Sequence, residues 1–236
     1  MKVIVTRPRI DGEALAAKLA KFGHEAVMAP LLAIVPRRPV AIPARAYQFA
    51  VATSANALRV LTDAEPPRSL RILTVGPQSL AAARAAGFGA AEAHGGDVDR
   101  LHRHIASHFE PQAGPILYLS GAETAGDLEA KLRASGFSCD RIILYDAVTA
   151  SGLGPARAVL AGGASVAVLL FSPRTARIWR NLVELEGLAA DAAKAWHCCL
   201  SANVARVLPV EWKSAVTKSP DEAGMLTLLE QLPATQ

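Results

Sequence analysis

The sequence predicts an α/β protein: two flavodoxin-like parallel-sheet domains joined by a two-stranded linker, bilobal with an interdomain cleft. Apolar runs of strand length alternate with helical segments along the whole chain. Several runs are apolar without a break, such as Val166-Ala167-Val168-Leu169-Leu170, as parallel strands covered on both faces require. The third observation is an internal repeat. Val51-Ala52-Thr53-Ser54-Ala55-Asn56 returns as Leu169-Leu170-Phe171-Ser172-Pro173-Arg174, and Val75-Gly76-Pro77-Gln78-Ser79 returns as Leu200-Ser201-Ala202-Asn203-Val204. The order is permuted, because the partner of Leu117-Tyr118-Leu119-Ser120-Gly121, with its helix at 125–134, is the N-terminal Ile4-Val5-Thr6-Arg7-Pro8 with the helix at 13–21.

Strands are expected at 2–6, 25–28, 49–53, 71–75, 90–93, 116–119, 138–145, 165–171, 196–200 and 214–217, with helices in the gaps. In the helix at 127–135, Leu128 and Leu132 share a stripe with the alanines, Glu129, Lys131 and Arg133 lie outside, and Gly136 supplies the stop. Two stretches break the rhythm. At 30–39 the prolines exclude a helix but leave an extended ribbon, and a second crossing runs over 147–154. Paired antiparallel, the two would join a discontinuous domain, 1–36 plus 149–236, to a continuous one, 37–148. Few contacts cross such a linker, so hinge motion is expected.

Composition bounds the function. The chain has 236 residues, 51% hydrophobic and 19% charged, enough for one large or two modest cores and for solubility. Three cysteines make no disulfide framework, and buried thiols in a reducing, cytoplasmic setting are expected. The N-terminus enters a strand directly and meets Arg7 too early for a signal-peptide core, and no apolar run reaches a membrane span. The net charge of +4 suits an anionic partner. The basic residues are scattered and not interleaved with aromatics, which are 5% of the chain, so nucleic acid is not expected.

The repeated unit is a strand, a polar turn and a helix, the place where open parallel sheets bind ligands. Val5-Thr6-Arg7-Pro8, Thr53-Ser54-Ala55-Asn56-Ala57, Val75-Gly76-Pro77-Gln78-Ser79, Tyr118-Leu119-Ser120-Gly121 and Leu144-Tyr145, taken in this order, resemble the uroporphyrinogen-III synthase family over essentially the whole chain. The resemblance implies a cyclising hydro-lyase of tetrapyrrole (haem-type) biosynthesis. Its substrate, hydroxymethylbilane, is a linear tetrapyrrole polycarboxylate closed to uroporphyrinogen III with ring D inversion and loss of water. No cofactor or metal is implied, since pyrrole supplies the electrons. A monomer in the cytoplasm, with transient contact to the preceding pathway enzyme, is the further expectation.

Backbone N–H groups at helix N-termini suit a flexible polyanion, because they bind carboxylates without ordering long side chains. The residues expected to bind substrate are therefore those of the turns: Thr6 and Arg7; Thr53, Ser54 and Asn56; Gly76, Pro77, Gln78 and Ser79; Ser120 and Gly121; Ser172, Arg174 and Thr175; Ser201, Ala202 and Asn203. Arg7 and Arg174 add charge-assisted contacts. By the resemblance Tyr145 is the cleft tyrosine, whose hydroxyl helps the leaving hydroxyl depart.

The chain departs from the family pattern in its second copy. Phe171-Ser172-Pro173 stands where Thr-Ser-Pro is common, and Ser201-Ala202 replaces the Gly-Pro turn. Losing a glycine there bears on how closely a carboxylate approaches the backbone. A two-lobed binding or regulatory protein without catalysis, and an α/β enzyme for another small anion, are the alternatives on this scaffold. His102, His104 and His108 share one helix, where a metal site competes with a solvated face. Gly121 and Gly126 have P-loop spacing, but Asp127-Leu128 stand in place of the required Lys and Ser/Thr. Gly152-Leu153-Gly154 reads as a linker, and Trp179, Trp196 and Trp212 as packing residues.

Overall fold

The structure is a computed structural model that describes residues 1–61, 66–94, 96–124, 126–163 and 165–233. In chain order it contains β1 (Lys2–Val5), α1 (Arg9–Lys21), β2 (Glu25–Met28), β3 (Leu32–Pro36), β4 (Phe49–Ala52), α2 (Ala55–Arg59), β5 (Ile72–Thr74), α3 (Pro77–Ala85), β6 (Ala91–Ala93), α4 (Val98–His108), β7 (Ile116–Gly121) and α5 (Leu128–Ala134). It continues with β8 (Cys139–Thr149), α6 (Pro155–Ala161), β9 (Val166–Leu170), α7 (Pro173–Leu185), α8 (Ala189–Ala192), β10 (Trp196–Cys199), α9 (Ala202–Ala205), β11 (Ser214–Val216) and α10 (Glu222–Glu230). The chain divides into two compact units, Met1–Ala33 with the segment from Val148 onward, and Ile34–Ala147.

The first unit holds the parallel sheet β11-β10-β9-β1-β2. Numbered along its own chain, this is the 2-1-3-4-5 order of flavodoxin-like sheets. The second unit holds β3-β8-β7-β4-β5-β6, in which β4 to β8 are parallel. Read from β7, its parallel strands fall in the same spatial order, with β7, β8, β4, β5 and β6 in the places of β1, β2, β9, β10 and β11. The chain enters the second copy at its third strand, which is the permutation carried by the repeat. β3 and β8 run antiparallel: Arg37 N donates to Leu144 O at 2.8 Å and Ala150 N to Leu31 O at 3.0 Å.

The unbroken apolar strands follow from two-sided burial. Val166, Val168 and Leu170 enter one core with Ile4 and Trp179, while Ala167 and Leu169 enter the opposite one with Val3, Val5 and Leu15. Alternate residues of β4 divide likewise, Ala50 and Ala52 to one face and Phe49 and Val51 to the other. The Gly136 stop is a Schellman motif: with φ of 85° it donates to Arg133 O, Phe137 N reaches Leu132 O, and the Phe137 and Leu132 side chains share one core.

Three elements differ from the sequence expectation: α1 starts at Arg9, four residues before the expected 13, and β8 and α5 differ as well. β8 does not stop near 145 but continues to Thr149, because pairing with β3 satisfies its backbone beyond the end of β7. α5 starts at Leu128 under an Asp127 cap that accepts from Ala130 N at 3.1 Å, and Ala125, the expected start, lies outside the described residues. No helix among the described residues is long and apolar enough to cross a membrane.

The first core also encloses a titratable ring. His197 is fully buried, stacks on Trp212 at 4.9 Å between ring centroids, and accepts at Nε2 from Trp179 Nε1 at 3.1 Å. With Nε2 accepting, the neutral ring carries its proton on Nδ1, which lies 3.1 Å from Lys213 O. Protonating Nε2 would break the Trp179 bond and bury a charge, and burial pushes the His197 pKa down from 6.5 to about 4. Below pH 6.5 the unfolded chain takes up a proton that the folded chain refuses. His197 is therefore expected to contribute a fall in stability of roughly 1 kcal/mol per pH unit as the pH drops from about 6 towards 4, levelling off below. Urea unfolding across that range checks this, and His197→Phe flattens the slope while lowering stability at pH 7.

Candidate functional site

Every turn between a parallel strand and its following helix lies at the carboxyl end of its sheet. In the second unit that edge gathers Thr53 and Ser54 after β4, Gly76 to Ser79 after β5, Ser120 and Gly121 at the end of β7, and Tyr145 on the neighbouring β8. Ser54 caps α2, its Oγ accepting from Asn56 N at 3.2 Å. Tyr145 Oη donates to the same Oγ at 3.0 Å. With that lone pair occupied, the Ser54 O–H is left to donate elsewhere. Tyr145 is 6% exposed and Ser54 half-buried, so the outward group of the pair is the serine.

A bulge carries Tyr145 to that position. β7 and β8 pair in register through Ser120 and Ile143, and then Gly121 pairs with Tyr145, one residue of β8 being skipped. Leu144 and Tyr145 consequently enter the same core, where strict alternation would have sent them to opposite faces. Gly121 is required here by space: a Cβ would lie 2.5 Å from Tyr145 Cζ and 2.9 Å from its Oη.

Gly76, Pro77 and Gln78 open α3 at the same edge; Pro77 and Gln78 are exposed and Ser79 is buried. Thr53 Oγ1 and Tyr118 Oη share a hydrogen bond of 3.0 Å, and burial raises the Tyr118 phenol pKa. Asn56 Oδ1 accepts from Arg59 Nη1 at 3.0 Å. Ser120 is 1% exposed, its Oγ accepting from Arg141 Nε at 2.9 Å, so its hydroxyl is structural in this state.

In the first unit the edge gathers Thr6 and Arg7, Ser172 to Thr175, and Ser201 to Asn203. Two of these side chains are engaged internally. Thr6 Oγ1 is buried and donates to Leu169 O at 2.6 Å, tying β1 to β9. Arg7 pairs with Glu222 at 2.9 Å and Asp11 at 3.8 Å and lies over the Phe171 ring at 4.6 Å, so its charge is balanced within the unit. Ser172 caps α7, accepting from Thr175 N at 3.1 Å, and Thr175 Oγ1 lies 2.9 Å from Ser172 Oγ. Arg174, next along α7, is half-buried.

The loss of glycine at Ser201 has no conformational consequence. Gly76 (φ −166°, ψ 177°) and Ser201 (φ −159°, ψ 165°) are both extended caps, and a Cβ on Gly76 would meet nothing within 4 Å. Ala202 and Asn203 follow on α9, with Asn203 Oδ1 accepting from Arg206 Nη1 at 2.8 Å.

The three α4 histidines do not converge. His102 Nε2 lies 2.8 Å from Ser135 Oγ, while His104 stacks between His94 and His108 at 3.6 and 4.3 Å between centroids, and parallel rings point their nitrogens past one another. Leu153 N of the glycine-flanked turn donates to Glu186 Oε1 at 2.7 Å, so that turn already holds a carboxylate of the chain itself. The cysteines are buried, burial pushing each thiol pKa up to about 12, where no nucleophilic thiolate forms near neutrality. Sequence reasoning missed Arg141 and Glu222. An arginine four residues before Tyr145 on the same strand was the available signal for the first; the second announces itself only through space.

A family model described as uroporphyrinogen-III synthase HemD matches residues 13–227. Among solved structures the chain is similar to the uroporphyrinogen-III synthetase from Helicobacter pylori, with TM-score 0.70, 13% identity, and 98% of this chain and 99% of that one covered. It is also similar to a mutant uroporphyrinogen III synthase from the extremely thermophilic bacterium Thermus thermophilus, with TM-score 0.58, 16% identity and 98% of each chain covered. These likenesses establish the fold. No curated protein matches by sequence.

The two copies predict different responses to serine removal. Ser172 makes a cap hydrogen bond and Ser201 makes none from its side chain. Ser172→Ala is expected to lower stability by about 1 kcal/mol and Ser201→Ala by only a few tenths, as measured by urea unfolding.

Proposed function

The chain belongs to the uroporphyrinogen-III synthase family, and from that premise we propose that it closes hydroxymethylbilane to uroporphyrinogen III, its two compact units serving as the two domains of the enzyme. The observation that carries the reading to particular residues is the hydrogen-bonded series Tyr145, Ser54 and the amide of Asn56 at the carboxyl edge of β4.

Loss of the substrate hydroxyl needs a proton and leaves a cationic azafulvene. The substituted carbon of ring D attacks it to give a spirocyclic pyrrolenine, and fragmentation and reclosure complete the macrocycle with ring D inverted. Ser54 O–H is the outward donor to the departing oxygen, and Tyr145, 3.0 Å behind it, replaces the proton given up. The closing pyrrole returns a proton when its ring becomes aromatic again, so the overall change is the loss of one water. The turns Gly76 to Ser79, Ser172 to Thr175 and Ser201 to Asn203 offer helix-terminal N–H groups to the carboxylates. Many weak neutral donors hold a flexible polyanion in one fold, and no single one of them dominates.

Supplying hydroxymethylbilane, oxidising the product and resolving the porphyrin isomers tests the activity. Type III product is expected; type I alone, as in a protein-free control, overturns the reading and leaves a non-catalytic binder. Tyr145→Phe and Ser54→Ala are each expected to slow single-turnover closure about tenfold, the loss of one donor acting on the departing group. Because the two hydroxyls act in series, the double variant should be no slower than the worse single one. Independent, multiplying losses would break the series.

A further inference from the structure

The bulge that presents Tyr145 needs something to hold it. At the end of β7 the ladder to β8 is displaced by one residue, and the carbonyls of Gly121 and Ala122 both accept from one guanidinium nitrogen, Arg141 Nη2, at 2.9 and 2.8 Å. Arg141 Nε donates to Ser120 Oγ at 2.9 Å, so one planar fork grips three consecutive residues of the turn. That turn fixes Tyr145 from two sides. Ala122 N donates to Tyr145 O at 2.9 Å, and the bare Cα of Gly121 lies against the tyrosine ring. Arg141 itself stands four residues before Tyr145 on the same strand, 24% exposed and 3.9 Å from Glu129 of α5. Asp140 and Asp146, the other charged residues of β8, pair with Arg45 and Arg37, whereas the Arg141 donors are directed at the backbone that borders Tyr145.

The geometry points to Arg141 as a positioning residue for Tyr145, one that sets the reach of the tyrosine hydroxyl to Ser54 by clamping the β7–α5 turn. The inference rests on the proposed role of Tyr145 for its kinetic consequence and on the hydrogen-bond geometry alone for its structural one. Lysine in place of Arg141 keeps the charge but is a point donor on a flexible stem, and it does not reproduce the fork.

The test labels the protein with 3-fluorotyrosine and follows the three tyrosines, Tyr47, Tyr118 and Tyr145, by fluorine NMR, each resonance assigned from its Tyr→Phe variant. In Arg141→Gln and Arg141→Lys the Tyr145 resonance is expected to shift or broaden while Tyr47 stays in place. A Tyr145 resonance unchanged in both folded variants overturns the proposal, whatever the enzyme turns over. Gly121→Ala, which pushes on the same ring from the turn, is expected to displace the same resonance. This variant supplies the reference shift if either arginine variant is too unstable to label. In single-turnover closure, Arg141→Gln is expected to lower kcat about as much as Tyr145→Phe does, with KM within about twofold, and to add less than about twofold in the Tyr145→Phe background. Multiplying effects would mean that Arg141 acts elsewhere and would overturn it. If Tyr145→Phe alone leaves the rate unchanged, the catalytic assignment of Tyr145 fails, and the fluorine spectra still decide whether Arg141 positions the ring.

Discussion

A parallel strand cannot turn back to its neighbour directly; the chain must cross over a face of the sheet before the next strand begins. Everything functional in this protein depends on that constraint. Since every crossover starts at the carboxyl end of a strand, all the polar turns of a sheet collect along one edge, and each turn opens a helix whose first N–H groups lack intrahelical partners. The two sheets obey the rule independently, with the same spatial order of strands. An edge of this kind needs no costly buried charge to attract anions. It carries backbone dipoles fixed by the fold, with serine, threonine and asparagine hydrogen-bonding at the rim.

Much of this is legible in the sequence. The permuted repeat required a sheet whose first strand pairs with one far along the chain, and β1 does pair with β9. Alternation of strand and helix, and apolarity on both strand faces, fixed the α/β class because burial on two sides leaves no room for polar positions. Turn residues announced themselves as helix caps, since Ser54 and Ser172 sit where capping chemistry favours them. What stayed hidden was the use of individual side chains. Thr6 and Arg7 have the right chemistry for an anion and lie at the right edge, but a buried carbonyl and two carboxylates from the same unit claim them. Nothing local in Val5-Thr6-Arg7-Pro8 reveals Glu222, more than two hundred residues away.

The bulge in β8 is a second instance. The residues of β8 do not mark the bulge themselves, and only the partner strand reveals that one residue is skipped. Its consequence is chemical as well as geometric, because it moves a phenol from one face of a sheet to the other and delivers it to a serine. Glycine at 121 looks in sequence like the start of a phosphate-binding loop. Its physical reason is narrower: any Cβ would occupy the place of the Tyr145 ring. By contrast the glycine exchanged for Ser201 had no such reason, and the same backbone angles accommodate both residues.

The antiparallel pairing of β3 with β8 also bears on how the chain reaches its fold. β1 lies between β2 and β9, one strand in from the edge of the first sheet, yet more than a hundred residues separate its partners along the chain. Closing so long a loop carries an entropic penalty and slows non-local pairing. The inserted segment relieves it. Once Ile34–Ala147 has condensed, the β3–β8 ladder holds Leu31 and Ala150 within one hydrogen bond of 3.0 Å, and the long loop becomes a short one. During synthesis the interrupted sheet must wait with the β9-facing side of β1 unpaired, while the continuous insert already has all its strands. The insert is thus the template that brings the two halves of its host together.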